Sequence, residues 1–530
     1  MKSLFLCIIG FGTAMLSFAQ SEREFQSQQA KIDRLFQLLQ TAYTEDVDVR
    51  TITEKAIIAA LKELDPHSYY LTAAEVQQSN ESLQGGFDGI GISYLMEMDT
   101  LVVTSLIKNG PAEKEGILPG DKLIFINDSL VAGESARTAL ITKMLRGKKN
   151  TIVELRFKRD GEGIMEFKVK RDKIPVYTVP SYYMVQGNIG YIKVSRFGAE
   201  TSRDLNQAIK KLKKQGMEKL ILDLQDNPGG YLSAAVNMVD EFLPKDKLIV
   251  YTEGKNSPRR NYLASNRGDF EEGELVILVN ENSASASEIV SGALQDHDRA
   301  VIIGRRTYGK GLVQSTYAFS DSSAVRLTTA QYFTPSGRSI QKPYSEGSEK
   351  YFENLKKRQD SGELTNADSI KLNSELAYKT GNQRTVYGSG GVMPDLFVAK
   401  DSIWNDSLIR QWNSKNIMYR FTAQYVNGNR KEFLKKFEYS FDTFKSNFTL
   451  EAQTLTQIQS FSEKQGILFD PSLLNSTQIQ YIYTLLKSTM ARLLWDNSEF
   501  YQCLNEMDPV LQSAVELFQN EKTASILENK

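Results

Sequence analysis

Between Ile174 and about Lys400 the chain alternates short apolar runs with amphipathic stretches, and this alternation narrows the available folds more than any other feature. NIGYIKVSRF (188–197), KLILDLQ (219–225), ELVILVN (274–280) and AVIIG (300–304) read as strands. Between them SRDLNQAIKKLKKQG, YLSAAVNMVDEFL and ASEIVSGALQD read as helices. Buried strands joined by helices predict a mostly parallel sheet with helices packed on it.

The flanking segments have other textures. Met1–Ala19 has Lys2 followed by the short apolar run LFLCIIGFGTAMLSF, and Ser17 and Ala19 are small residues suited to a cleavage site. This predicts a signal peptide over 1–19 and an exported chain, in the periplasm or outside the cell, with no membrane span after the signal is removed. Residues 20–84 carry helical periodicity in IDRLFQLLQTAY and EKAIIAALKEL. Residues 85–172 change to short strands separated by glycine-rich and charged turns, which predicts one small β-rich module. A core over 173–400 and a separate helical unit over 401–530 complete the expected organisation. Net charge is −1, so no basic field points to nucleic acid.

Composition also limits the chemistry. With only His67 and His297 in the whole sequence, a metal centre built on three histidines is excluded. Neither histidine is well placed as a base: His297 lies in the charged stretch QDHDRA, and His67 lies far upstream in a proline-broken segment. Cys7 leaves with the signal, so Cys503 has no intramolecular partner.

Gly304, Gly309 and Lys310 in VIIGRRTYGKGLVQ have the spacing of a phosphate-binding loop. That chemistry needs Ser or Thr after the lysine and a helix beginning there, whereas Gly311 follows and GLVQSTYAF favours strand. A nucleophilic reading uses the same lysine differently. Ser285 in SASASE heads a helix, where the macrodipole favours developing negative charge; the plainer alternative is a capping box with Glu288. DLQDNPGGYL places a Pro-Gly-Gly turn after a buried strand, either a simple turn or a set of exposed amides for an oxyanion. Lys310 serves as a base only when it is neutral, and lowering it from about 10.4 towards 7 costs roughly 4–5 kcal/mol, so its site must be dry. Gln314, four residues on, falls on the same face and could orient the amine.

Taken in order, these elements resemble the carboxyl-terminal processing (tail-specific) proteases, exported serine peptidases with a Ser-Lys dyad and an embedded PDZ domain. The match runs from about Leu64 to Val398 through GALQDHDRAVIIG, GKGLVQ, LTTAQYFTPSGRSIQ and GSGGVMPD. The resemblance implies a multidomain α/β protein with a helix-flanked, ClpP/crotonase-like core sheet, an inserted PDZ domain and helical regions at both ends. It implies Ser285 as nucleophile, Lys310 as general base and Gln314 as its assistant. Gly229, Gly230 and Ala286 are the expected oxyanion donors. Gly89, Ile90, Gly91 and Ile92 are the expected carboxylate-binding loop of the PDZ domain, which would take an extended peptide as an added strand. The expected partners are proteins and peptides bound through their C-termini, and the helical termini offer surfaces for self-association or an adaptor. No cofactor and no metal are expected. One departure is Gln225, where the family often has arginine. The alternative from another class is an inert PDZ scaffold, which nothing in the sequence favours over the peptidase.

Overall fold

The computed structural model describes residues 23–97, 99–133, 137–159, 161–265 and 268–528, so the predicted signal peptide lies outside the described residues. The chain divides into two compact units, the first ending at Tyr70 and the second beginning at Leu71. In the first, a helix through residue 41 is followed by a helix over Val49–Lys62. Asp48 caps the latter by accepting from the Thr51 N–H at 3.2 Å.

The second unit opens with the helix Ala73–Leu83, whose start is fixed by a reciprocal capping box between Thr72 and Glu75. The boundary expected at residue 84 therefore falls earlier, because this helix belongs with the rest of the chain. The β-rich module follows. Its sheet orders strands Ile92–Glu97, Thr100–Leu106, Lys122–Ile126, Ile152–Arg159 and Gly163–Lys170 side by side, all antiparallel. Strand Ile92–Glu97 is an edge, and the Tyr94 hydroxyl meets Thr142 Oγ1 of the helix Thr138–Leu145 at 2.5 Å.

The central sheet orders Ser181–Gln186, Ile189–Lys193, Lys219–Asp223, Glu274–Val279, Val301–Gly304 and Leu396–Phe397. The first pair is antiparallel and the rest are parallel, as the alternation predicts. Side chains alternate between its faces. Leu220, Leu222, Leu275, Ile277 and Ile302 join one core with the helices Thr201–Lys214, Leu232–Asp240 and Ala286–Asp296. Ile221, Val276, Leu278, Val301 and Ile303 face the other way, where Val510, Leu511, Ala514, Val515 and Phe518 of the helix Pro509–Gln519 cover them.

This corrects the expectation of a separate helical unit over 401–530. Helices from Ser407 to Leu504 do have their own core around Trp412, Phe421, Phe444, Ile482 and Met490. The helix Pro509–Gln519 instead belongs to the central sheet. A parallel sheet must be covered on both faces, and each large apolar side chain of that helix contributes about 2 kcal/mol by burial. Strands Leu248–Gly254, Ser257–Leu263, Leu312–Ala318 and Ala324–Phe333 form part of a second, antiparallel sheet, which carries the lysine side of the site.

Candidate active site

Ser285 stands between strand Glu274–Val279 and helix Ala286–Asp296, with φ 55° and ψ −110°. A non-glycine residue at such angles costs about 1–3 kcal/mol and persists only where its surroundings over-determine it. Here the serine loop is bonded to the loop after strand Lys219–Asp223. Ser283 Oγ donates to the Leu224 carbonyl at 2.8 Å, and the Asn227 carbonyl accepts from the Ala284 N–H at 3.0 Å and from Ser287 Oγ at 2.9 Å. The sharp turn places the serine above a helix whose residues 286–296 are all buried.

The Pro-Gly-Gly turn lies against it. A Cβ at Gly229, whose φ is 99°, would come within 2.9 Å of Ser285 Cβ and 3.0 Å of the Ala286 nitrogen, so only glycine fits this approach. The structure removes Gly229 from the expected oxyanion donors, because its N–H donates to Asn227 Oδ1 at 2.9 Å. The N–H groups of Gly230 and Ala286 make no hydrogen bond among the described residues. Gly230 is exposed beside them.

Lys310 ends the loop leading into strand Leu312–Ala318, and its Nζ donates to Gln314 Oε1 at 2.9 Å. The pair meets across the start of the strand, whose register is interrupted between Val313 and Gln314. Sequence reasoning saw Glu288 only as a capping acid. In the structure its fully buried carboxylate accepts from the N–H groups of Ser285 (2.8 Å), Gly309 (2.7 Å) and Lys310 (2.9 Å), and from the Thr307 hydroxyl. Burial pushes the carboxyl up, and these donors pull against it without reversing the shift. Tyr332 was missed as well. Its buried hydroxyl reaches the carbonyl oxygens of Ser285 at 3.0 Å and Lys310 at 2.8 Å, and burial, then the Glu288 charge, holds it far above the usual phenol range. Glu288 and Tyr332 together fix the spacing of the two loops. Only tertiary structure assembles them, so no local signal could have found them.

Ser285, Lys310, Gln314, Gly229, Gly230, Ala286 and Tyr332 line one cleft of about 570 Å³. Helix Ala73–Leu83 supplies Glu75, Gln78, Ser79, Ser82 and Leu83 to the same cleft. His297 is elsewhere. It caps the far end of the serine helix, about 16 Å along the axis, and its Nε2 lies 2.7 Å from the Leu248 carbonyl, so it is far from Ser285 and is held by a backbone contact. Gln225 Nε2 donates to Asp508 Oδ2 at 2.7 Å, linking the turn-bearing strand to the cap of helix Pro509–Gln519. In the β-rich module Gly89 closes a strand, Ile90 is buried, Gly91 has φ 78° and Ile92 begins the edge strand.

Beside the serine loop, Glu281 accepts from Arg305 Nε at 2.7 Å and Lys400 Nζ at 2.9 Å. Burial pushes this carboxyl up, but the Arg305 charge and the Lys400 hydrogen bond outweigh it and leave it at about 2. A depressed carboxyl contributes stability that is complete above its unfolded value of about 4.3 and is lost as pH falls through the folded value. Glu281→Gln is therefore expected to destabilise the protein by roughly 3 kcal/mol at neutral pH. Calorimetry should show the two unfolding temperatures converging as pH falls from about 4.3 towards 2. A constant gap across that window would contradict the ion-pair account.

Residues 188–347 match Peptidase family S41, residues 89–170 match the PDZ domain, and residues 408–496 match a family of unknown function (DUF8443). A "Probable CtpA-like serine protease" of Staphylococcus epidermidis is 39% identical over 333 residues, covering 62% of this chain and 67% of the relative. A protein of the same name from Staphylococcus aureus (strain COL) is 35% identical over 375 residues, covering 68% and 75%. Among solved structures, the photosystem II D1 C-terminal processing protease is 30% identical, with 56% of this chain and 81% of that one covered at a TM-score of 0.34.

Proposed function

The chain belongs to the serine proteases of peptidase family S41, and from that premise we propose that it is of the C-terminal processing type, with Ser285 and Lys310 as its catalytic dyad. The observation that carries this is the convergence of Ser285, Lys310, Gln314, Gly230 and Ala286 on one cleft. Ser285 Oγ attacks the scissile carbonyl carbon while neutral Lys310 takes the hydroxyl proton. The tetrahedral oxyanion accepts from the Gly230 and Ala286 N–H groups at the positive end of the serine helix. Lys310 then gives the proton to the leaving amine, and later takes one from the water that hydrolyses the acyl-enzyme. Gln314 Oε1, accepting from Nζ, orients the amine without adding a charge that would keep it protonated.

The Gly89–Ile92 loop captures a substrate's terminal carboxylate, and the edge strand Ile92–Glu97 pairs with the peptide behind it. The apolar stretch Leu4–Phe18 directs export to the periplasm or the cell exterior.

The test is cleavage of a denatured protein by wild type and by Ser285→Ala and Lys310→Ala. Wild type alone should degrade it. Cleavage by either variant at the wild-type rate would overturn the dyad. A wild type that binds C-terminal peptides but cleaves nothing would point to the inert scaffold.

A further inference from the structure

Cations outnumber acids in the cleft. The guanidinium groups of Arg196 and Arg326 line it beside Lys310, with Glu75 as the one carboxylate among its lining residues. That carboxylate is already engaged, since Glu75 Oε2 accepts from the Thr72 N–H and Oγ1, both at 2.8 Å. The other nearby acid of the same helix, Glu81, pairs with Arg146. Glu200, close to Arg196 in the chain, pairs with Arg203 at 2.6 Å.

Arg196 is placed by its neighbour. Phe197 is fully buried and bridges the Pro-Gly-Gly turn, its N–H donating to the Gly229 carbonyl at 3.0 Å and its carbonyl accepting from the Tyr231 N–H at 2.8 Å. Successive side chains of an extended segment point to opposite sides, so the burial of Phe197 turns Arg196 into the cleft beside the oxyanion turn. There its Nη1 donates to the hydroxyl of Ser82. Among the described residues no carboxylate lies within ion-pair distance of Arg196. A half-buried guanidinium facing a neutral hydroxyl keeps most of its donor fork for a planar anion.

We propose that Arg196 is a specificity residue that binds a carboxylate of the substrate near the scissile bond, so that the protease prefers peptides with an acidic group there. This rests on the dyad reading above. The carboxylate comes from either the chain terminus or an acidic side chain, and both present the same bidentate acceptor. Arg196 acts on the substrate and takes no part in the proton transfers of Lys310.

The experiment compares kcat/KM on three matched octapeptides: a free C-terminal acid, its amide, and the amide with Asp or Glu beside the cleavage site. Each is assayed with wild type, Arg196→Gln and Arg196→Lys. Wild type should favour one or both acidic peptides by roughly 10- to 100-fold, the worth of one charge-assisted pair. Arg196→Gln should abolish that preference, bringing the acidic peptides down to the level of the neutral amide, and Arg196→Lys should restore part of it. The acid that loses its advantage identifies the source of the carboxylate. If the preference persists in Arg196→Gln, or all three peptides fall equally, Arg196 is structural and the proposal is overturned. Capture of the terminus by the PDZ loop would leave the preference intact in Arg196→Gln. Failure of the dyad is a separate result, read from cleavage by Ser285→Ala.

Discussion

Lys310→Ala is expected to lower kcat by roughly 10³- to 10⁴-fold with little change in KM, the upper range for removing a general base. Lys310 contributes its side chain to the cleft and its backbone to the Glu288 carboxylate, and the substitution leaves the backbone bond in place. The fold should therefore hold, with an unfolding temperature close to that of wild type. Lys310→Arg is the sharper test. Arginine keeps the positive charge and the reach but is never deprotonated in a protein, so it cannot accept the Ser285 proton. A proton acceptor at 310 predicts that the arginine variant is as inactive as the alanine variant. A purely electrostatic or anion-holding lysine predicts substantial retained activity. Initial-rate kinetics on one peptide distinguish the two.

The second large effect is expected at Glu288. Glu288→Ala removes the acceptor for three backbone N–H groups and one hydroxyl in a fully dry place. Each buried donor left without a partner costs about 1–3 kcal/mol, and partial relaxation brings the sum to roughly 4 kcal/mol of lost stability. Glu288→Gln keeps the shape but turns an N–H₂ group towards donors, and should lie about halfway. Chemical denaturation gives the stability. Activity measured well below the unfolding transition gives the rest, and kcat should fall in both variants because the Ser285 and Lys310 loops lose their common anchor. Full activity in folded Glu288→Ala would mean that Tyr332 alone sets the spacing.

Strands such as LILD and VILV are apolar on both faces, and only a sheet covered twice explains that, so the central order follows from alternation alone. Ser285, Lys310 and Gln314 were legible because each belongs to a short motif with its own spacing. Glu288 was legible only as a cap. Its true partners, Gly309 and Lys310, lie 21 and 22 residues away, and nothing local marks them. Gly229 looked like a donor because a Pro-Gly-Gly turn exposes amides in general; Asn227 takes that particular N–H. The amphipathic segments of the last 130 or so residues could not be assigned to a core, since an apolar stripe says that a helix is covered but not by what. For the same reason helix Ala73–Leu83 gave no sign that it borders the cleft.

The helix Pro509–Gln519 has a consequence for the order of events as the chain folds. The strands that bear Ile221, Val276, Leu278 and Ile303 end by residue 304 and the edge strand Leu396–Phe397 follows, yet the helix that covers this face comes about two hundred residues after residue 304. Until then a broad apolar surface stays open, and the contact that closes it is of very long range, which slows folding and favours intermediates. The strand that leads to the Pro-Gly-Gly turn is bonded to that late helix through Gln225 and Asp508. The segment leading into the Pro-Gly-Gly turn thus gains one of its fixing contacts only from an element that lies about 280 residues further along the chain.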